Sequence, residues 1–341
     1  MSRHIYTLKK PASWHREMWR EALPLGNGLT GVLIPGSIAE EKICFNRHDL
    51  WEGGSNRPIP DITETFQAMR ASIDRGDYQA ANQDNLKRAL REKGYETKCD
   101  SPHPLGWLHT DFTPSDLFKS YRRGVNMRTG EAFVEFDVDD CHYRRTAFVS
   151  RDCDVTVMRM TADRYFTTAY RFELYNQRDF CTVTEDGIHC RSKDGYTEVS
   201  IRFAGDFTAA VSENTLSVTG RDYVVYIRCA SHGSECSLDG IVDKTYAELF
   251  TAHTVLHTSL YDAVSIELAS DESHDATNEQ MLDDAYDGEA SSALLERLWR
   301  FGRYLFISAA ARTVIQYRYT VCGTVPTICH GASTWLTKMW R

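Results

Sequence analysis

The spacing of apolar positions divides the chain into stretches of different period. Residues 1–60 alternate short apolar runs with Gly, Pro and Asn. Within them Leu33-Ile34 and residues 41–45 read as strands joined by a tight turn at Pro35-Gly36. Residues 61–95 are polar, lack β-branched runs, and split at Gly76 into two helical pieces. Asp61 is the expected cap of the first, with Glu64 three residues on as in a capping box, while Asp77 caps the second and Gly94 ends it. Phe66, Met69 and Ile73 share one face, so the first piece is expected to lie on the surface of a larger body.

From about residue 105 to residue 268 the period falls to two. In residues 132–138, Val134, Phe136 and Val138 face one way while Glu135 and Asp137 face the other. Similar strands are expected at 154–160, 169–174, 198–203, 216–219 and 223–229, with turn signals at Glu185-Asp186-Gly187 and Lys193-Asp194-Gly195. Strands at this spacing, with no interleaved helices, predict a mainly β chain: a large antiparallel β-sandwich with a small helical insertion and a C-terminal linker helix. Residues 270–287 are acidic and read as a linker. Residues 291–311 read as a helix whose Leu294, Leu295, Leu298, Phe301, Leu305 and Phe306 make a broad apolar stripe. The expected domains are thus a sandwich over 1–270, a linker and helix over 271–312, and a tail over 313–341.

Composition narrows the partners. The 341 residues carry a net charge of −9, with no footprint for nucleic acid or an anionic membrane surface. No stretch approaches the roughly 20 apolar residues of a membrane span, and the N-terminus lacks the apolar segment of a leader, so the expected location is cytoplasmic. Ten cysteines stand singly with no C-x-x-C pair, as small buried hydrophobes do in a reducing compartment. Seventeen tyrosines and seven tryptophans suit either a large β core or a sugar-handling surface.

Candidate chemistry is sparse. His253 and His257 are four apart, but the glutamate of H-E-x-x-H is missing and a strand context is as consistent as a helix. Asp283, Asp287 and Gly288 only echo a calcium loop, because Ala285 and Leu294 fill ligand positions. Asp271 to Asp275 reads as a solvated charge run, Asp139-Asp140 as a turn, and Ser55-Asn56-Arg57 lacks a histidine at a recognisable spacing. No metal site and no cofactor site is expected.

The richest run is residues 18–54. It holds Trp19, Glu21-Ala22-Leu23-Pro24-Leu25-Gly26-Asn27-Gly28, Gly31, Glu40 or Glu41, Asn46, Leu50-Trp51 and Gly53-Gly54. With Met69-Arg70, Gly76-Asp77-Tyr78, Ala80 and Phe301-Gly302-Arg303-Tyr304-Leu305, it resembles the N-terminal domain of glycoside hydrolase family 95, the α-L-fucosidases and related L-galactosidases. The resemblance covers about residues 1–312 and departs at Leu29-Thr30. It implies inverting hydrolysis of terminal α-L-fucosyl or L-galactosyl residues on oligosaccharides. The acid and base would stand roughly 6.5–9.5 Å apart to admit water. In the family these groups lie on an (α/α)6 barrel, so no catalytic residue is assigned here. Read physically, Gly26-Asn27-Gly28 is either a plain turn between strands or a loop against the barrel mouth. Trp51 is either a domain-interface anchor or a sugar-stacking platform. Asn27 and Trp51 are therefore the candidate substrate-binding residues.

After about Arg312 the resemblance stops. Thr320 to Val325, Thr327 to Gly331 and Ser333 to Trp340 can each be back-translated, one base earlier, into segments that the family carries there in the same order. The expectation is a frameshift near Thr313 that leaves a sandwich, an apolar helix prone to self-association, and no barrel. The alternatives are a stand-alone carbohydrate-binding or structural domain and, more distantly, a relative of the sugar phosphorylases.

Overall fold

The computed structural model describes residues 3–13, 20–52, 59–95, 101–102, 104–114, 117–175, 180–268 and 276–310. The side chains at residues 51, 52, 101 and 102 lie outside that description. Two compact units are separable, Met1–Leu50 with His103–Arg341, and Trp51–Pro102. In chain order the elements are β1 (Ile5–Leu8), β2 (Leu23–Gly26), β3 (Thr30–Ile34), β4 (Glu40–Arg47), β5 (Trp51–Glu52), α1 (Thr63–Asp74), α2 (Gln83–Glu92), β6 (Ser101–Pro102), β7 (Gly106–Phe112) and β8 (Lys119–Asn126). They continue with β9 (Glu131–Val138), β10 (Cys141–Val149), β11 (Thr156–Leu174), β12 (Phe180–Thr184), β13 (Gly187–Arg191), β14 (Thr197–Ser212), β15 (Thr215–Ser231), α3 (Tyr246–Tyr261), α4 (Asn278–Asp287) and α5 (Ser292–Ala309). The chain is mainly β, as expected.

Among the described residues, thirteen strands of the larger unit form one antiparallel sheet that curls into two layers. The 19-residue strand β11 makes this possible. Its first half pairs with β10, which leads to β9, β8 and β1; its second half pairs with β7, which leads to β4, β3 and β2. The register shifts between Thr161 and Phe166 on β11 and between Asp206 and Phe207 on β14, both opposite residues 220–222 of β15. Extra residues at one level sharpen the bend there. The β2–β3 hairpin thereby comes to lie over β9 and β10.

Alternating residues fill the space between the layers. Val134, Phe136 and Val138 are buried there as the period-two pattern predicts, facing Leu25, Val32 and Ile43 in the same core. Phe112, Phe136, Tyr143 and Phe166 form a ring cluster with centroids 5.1–6.2 Å apart. The void beside them, about 20 Å³, holds no more than one water. Glu41 is buried in the same region. Its Oε2 accepts from Arg145 Nη1 at 2.5 Å and its Oε1 from the Gly36 amide at 2.6 Å, which fixes the β3–β4 turn.

Several local expectations change. Residues 246–261, read as part of the strand region, form helix α3, capped by a reciprocal box between Thr245 and Glu248. Residues 278–287, read as linker, form α4 with Thr277 as its cap. In the smaller unit α1 starts at Thr63. Asp61 accepts from the Thr63 amide and hydroxyl without capping the helix, and the cap of α2 is Asn82, while Asp77 closes the preceding turn on Ala80. Phe66 and Ile73 are half exposed, not buried. Asp139 and Asp140 both have positive φ and form the tight turn between β9 and β10.

Cys181 and Cys190 are joined by a disulfide, where isolated thiols were expected. They lie directly opposite each other on the β12–β13 hairpin, equidistant from its Glu185-Asp186 tip. A disulfide belongs to an oxidising compartment and weighs against the cytoplasmic reading. No helix of the described residues is long and apolar enough to cross a membrane.

Candidate functional site

The Gly26-Asn27-Gly28 run makes the turn from β2 into β3, with Gly28 at a φ of 87°. Asn27 is buried and uses its whole hydrogen-bonding capacity inside the protein. Its Oδ1 accepts from the amides of Leu29 (2.9 Å) and Thr30 (2.8 Å), which shapes the turn. Its Nδ2 donates to Ser150 O and to Asp154 Oδ1, both at 2.8 Å, which ties the turn to the β10–β11 connection. Trp51, the other candidate, begins β5 opposite Pro102, and its side chain lies outside the described residues.

Around Asn27 stands a charged network that motif reading missed. Arg47, at the end of β4, donates from Nη1 to Asp154 Oδ2 (3.0 Å), Cys229 O (2.7 Å) and Thr30 Oγ1 (3.3 Å). Its Nε reaches Ser231 Oγ at 3.2 Å and Asp49 Oδ1 at 3.4 Å. Ser231 closes the circuit by donating to Asp49 Oδ2 at 2.5 Å. Burial opposes the ionised form of Asp49, but the Ser231 hydroxyl and the Arg47 guanidinium outweigh it and hold the carboxyl below its ordinary pKa. Burial likewise opposes the charge on Arg47, and Asp154 and Asp49 overcome it. The network is a satisfied brace between four segments. It offers no uncommitted acid–base pair.

The brace adjoins the C-terminal end of α5. The Gly28 amide donates to Ser308 O at 2.9 Å, and the Tyr304 hydroxyl donates to Pro24 O at 2.6 Å. A Cβ on Gly26 would stand 2.7 Å from Ser308 O, so only glycine allows this approach. Arg151 caps the helix by donating to Ile307 O and, at 3.1 Å, to Ala310 O. Two histidines of α3 hold Arg151 in turn. His253 Nδ1 accepts from the Arg151 amide (3.2 Å) and His257 Nδ1 from its Nε (3.3 Å). Their Nε2 atoms face Thr129 O (2.9 Å) and Met127 O (3.1 Å), so each ring is neutral with its proton on Nε2. Burial pushes the two imidazoles down to about 3 and about 4, with nearby Arg151 adding to the effect.

Helix α5 turns its polar side inward. Arg297 donates to Ala276 O and Asn278 Oδ1, Arg300 donates to Ile266 O, and Glu296 accepts from the Leu268 amide. Tyr304, Ile307, Phe301 and Leu305 complete that side, with Phe301 stacked on Tyr6 at 5.0 Å. The predicted stripe is therefore split: Leu294 is buried, whereas Leu295 and Leu298 face outward.

Comparison with known proteins bears on this joint between sandwich and helix. Residues 7–238 match the profile described as glycosyl hydrolase family 65, N-terminal domain. Residues 245–316, which include α3, α4 and α5, match that of the glycosyl hydrolase family 95 catalytic domain. The chain is 21% identical to "Alpha-L-fucosidase 2" of Arabidopsis thaliana, over 86% of this chain and 41% of that protein. It is 22% identical to "Probable alpha-fucosidase A" of Aspergillus oryzae, over 88% of this chain and 47% of that protein. It thus spans less than half the length of these relatives. A solved structure of a human-microbiome protein assigned as a kojibiose phosphorylase shares the fold. Its TM-score is 0.51 at 10% identity, over 89% of this chain and 42% of that one. The family 95 resemblance of the opening run and of residues 301–305 fits these matches. With its profile matched over more than half of the chain, the protein belongs to the glycosyl hydrolase family 65 N-terminal domain family.

Proposed function

We propose that this chain is the sandwich portion of a glycoside hydrolase that removes terminal α-L-fucosyl or L-galactosyl residues from oligosaccharides, by inversion and without a cofactor. On this reading the chain by itself carries no turnover, and residues 313–341 are a frameshifted tail, which lies outside the described residues. The observation that carries the reading is the order of the matches along one chain: a sandwich profile, then a hydrolase catalytic-domain profile beginning at α3, in a chain co-linear with two fucosidases. The joint supports it, because the polar groups around Asn27 are all engaged in bracing the loop against α5. Asn27 is then a positioning residue for that loop. The purified chain is expected to release no aryl alcohol from an aryl α-L-fucoside beyond a heat-killed control, and reproducible turnover would refute the reading. Inorganic phosphate belongs in the same assay, since the shared fold of the phosphorylase-like structure favours a second reading, in which a sugar phosphate would be released from kojibiose.

Self-association through the outward side of α5 is part of the same proposal. Leu295 and Leu298 are 48% and 36% exposed on adjacent turns. Sedimentation velocity is expected to show a concentration-dependent dimer that Leu298→Lys shifts to monomer. A monomer at every concentration would remove this element.

A further inference from the structure

A cleft with about 300 Å³ open to water lies where the tip of the β12–β13 hairpin meets β14, and it shares no lining residue with the Asn27 brace. Strand β13 begins at Gly187, opposite Arg202, so β14 has no neighbour on that side from Phe203 onward among the described residues. The resulting notch is rimmed by Glu185 and Asp186 of the hairpin tip and by Arg202, and floored by Phe203, Phe207, Ala209 and Val242. The two rings stand 6.1 Å apart and tilted, with Phe207 only partly buried.

Among the described residues the three charged side chains have no hydrogen-bond or ion-pair partner, although they line one notch. Elsewhere in the fold opposite charges on neighbouring strands are paired, as Arg122 is with Glu135 and Arg159 with Asp222. Here a guanidinium and two carboxylates border a gap instead of closing on each other.

We propose that this notch binds a single neutral pyranose ring, an accessory glycan site apart from any catalytic centre. The proposal rests on the carbohydrate reading of the protein given above. Adjacent sugar hydroxyls donate to carboxylates and accept from a guanidinium at once, which this rim requires. The carbon face of the ring then covers Phe207. An anionic ligand meets two carboxylates for one guanidinium, and an apolar ligand leaves three charges without partners. The volume, at the lower end of the roughly 300–1,000 Å³ usual for ligand clefts, suits one ring. A rim this exposed gives weak binding, with a Kd on the order of 1 mM.

The test is isothermal titration of the purified chain with L-fucose, L-galactose, kojibiose and, as a zwitterionic control, glycine. Arg202→Ala and Glu185→Gln follow. Both side chains are exposed and unpaired, so the thermal midpoint is expected to stay at its original value. The expected result is saturable binding of L-fucose or L-galactose, weakened at least about tenfold by Arg202→Ala and also by Glu185→Gln. Binding of kojibiose alone, with the same loss in the variants, would uphold the site while sinking the fucoside reading. Absence of saturable binding by every sugar, binding of glycine in their place, or sugar binding unchanged in the variants would each overturn the site.

Discussion

Lowering the pH from 6.5 towards about 4 is expected to remove up to about 5 kcal/mol of stability, through His253 and His257 alone. The sign follows from the burial of neutral rings. Both imidazoles titrate below their unfolded value of 6.5, at about 3 and about 4, so the unfolded chain binds more protons throughout that window. Their contribution is complete above pH 6.5 and is lost as the pH falls. Two protons give a slope near 2.7 kcal/mol per pH unit, about 1.36 from each ring. Geometry gives the same answer independently. Each Nδ1 accepts an N–H from Arg151, and a proton placed there turns an acceptor into a second donor facing the guanidinium or the amide. The charged and titratable groups around the pair include Arg151, Asp262, Tyr261 and Tyr304; the carbonyls of Thr129 and Met127 oppose the effect on His253 and His257, and Asp262 opposes it further on His257. Carboxylates held below their ordinary pKa, such as Asp49, lose most of their contribution as the pH falls past about 3.8, at the lower edge of the window. Urea titrations across the pH range should show the steep slope in the native protein. The variant His253→Gln/His257→Gln should lack it, despite lower stability at neutral pH. Equal slopes in the two proteins would show that the rings are protonated in the folded state.

Replacing Arg47 by methionine should cost about 3–5 kcal/mol, because it leaves two carboxylates without their cation and a buried carbonyl without its donor. Asp49 and Asp154 keep 27% and 26% of their side-chain surface in water, which places the value towards the lower end. The double variant Arg47→Met/Asp154→Asn should recover part of the loss, since one of the stranded charges disappears with the cation. A further readout separates the brace from plain packing. In Arg47→Met the Asp49 carboxyl should titrate higher than in the native protein, as followed by NMR. An Asp49 titration that stays in place would mean that Ser231 alone holds it down.

The strands were legible because one face of each meets the core, but β11, β14 and β15 were legible only as fragments. Their shared bulge level interrupts the alternation at Thr161 to Phe166 and at Asp206 to Phe207, so β11 and β15 each read as two short strands and only the first half of β14 was read. Helix α3 was hidden by its Thr251, Thr254, Val255 and Thr258, residue types that favour strands, although the Thr245–Glu248 capping pair was present to be read. The disulfide could have been found from the hairpin signal at Glu185-Asp186-Gly187, since Cys181 and Cys190 are symmetric about its tip. The site was less accessible. The turn at Asn27 was evident, but its partners Ser150 and Asp154 are more than a hundred residues away, and no local pattern joins them. Arg47 and Arg151 look like surface cations in a linear reading. Only the fold makes them hubs, Arg47 buried and Arg151 partly so.

Gly26 lies against the backbone carbonyl of Ser308 with no room for a side chain, and Gly28 donates to that same carbonyl. The Gly-Asn-Gly signature is therefore a mould for a helix end, and its chemistry is that of a joint. A survey that gathers sequences by this signature would collect proteins that share a way of seating a helix on a sandwich, whatever sugar they act on. Substrate preference has to be sought in residues that the joint leaves unconstrained.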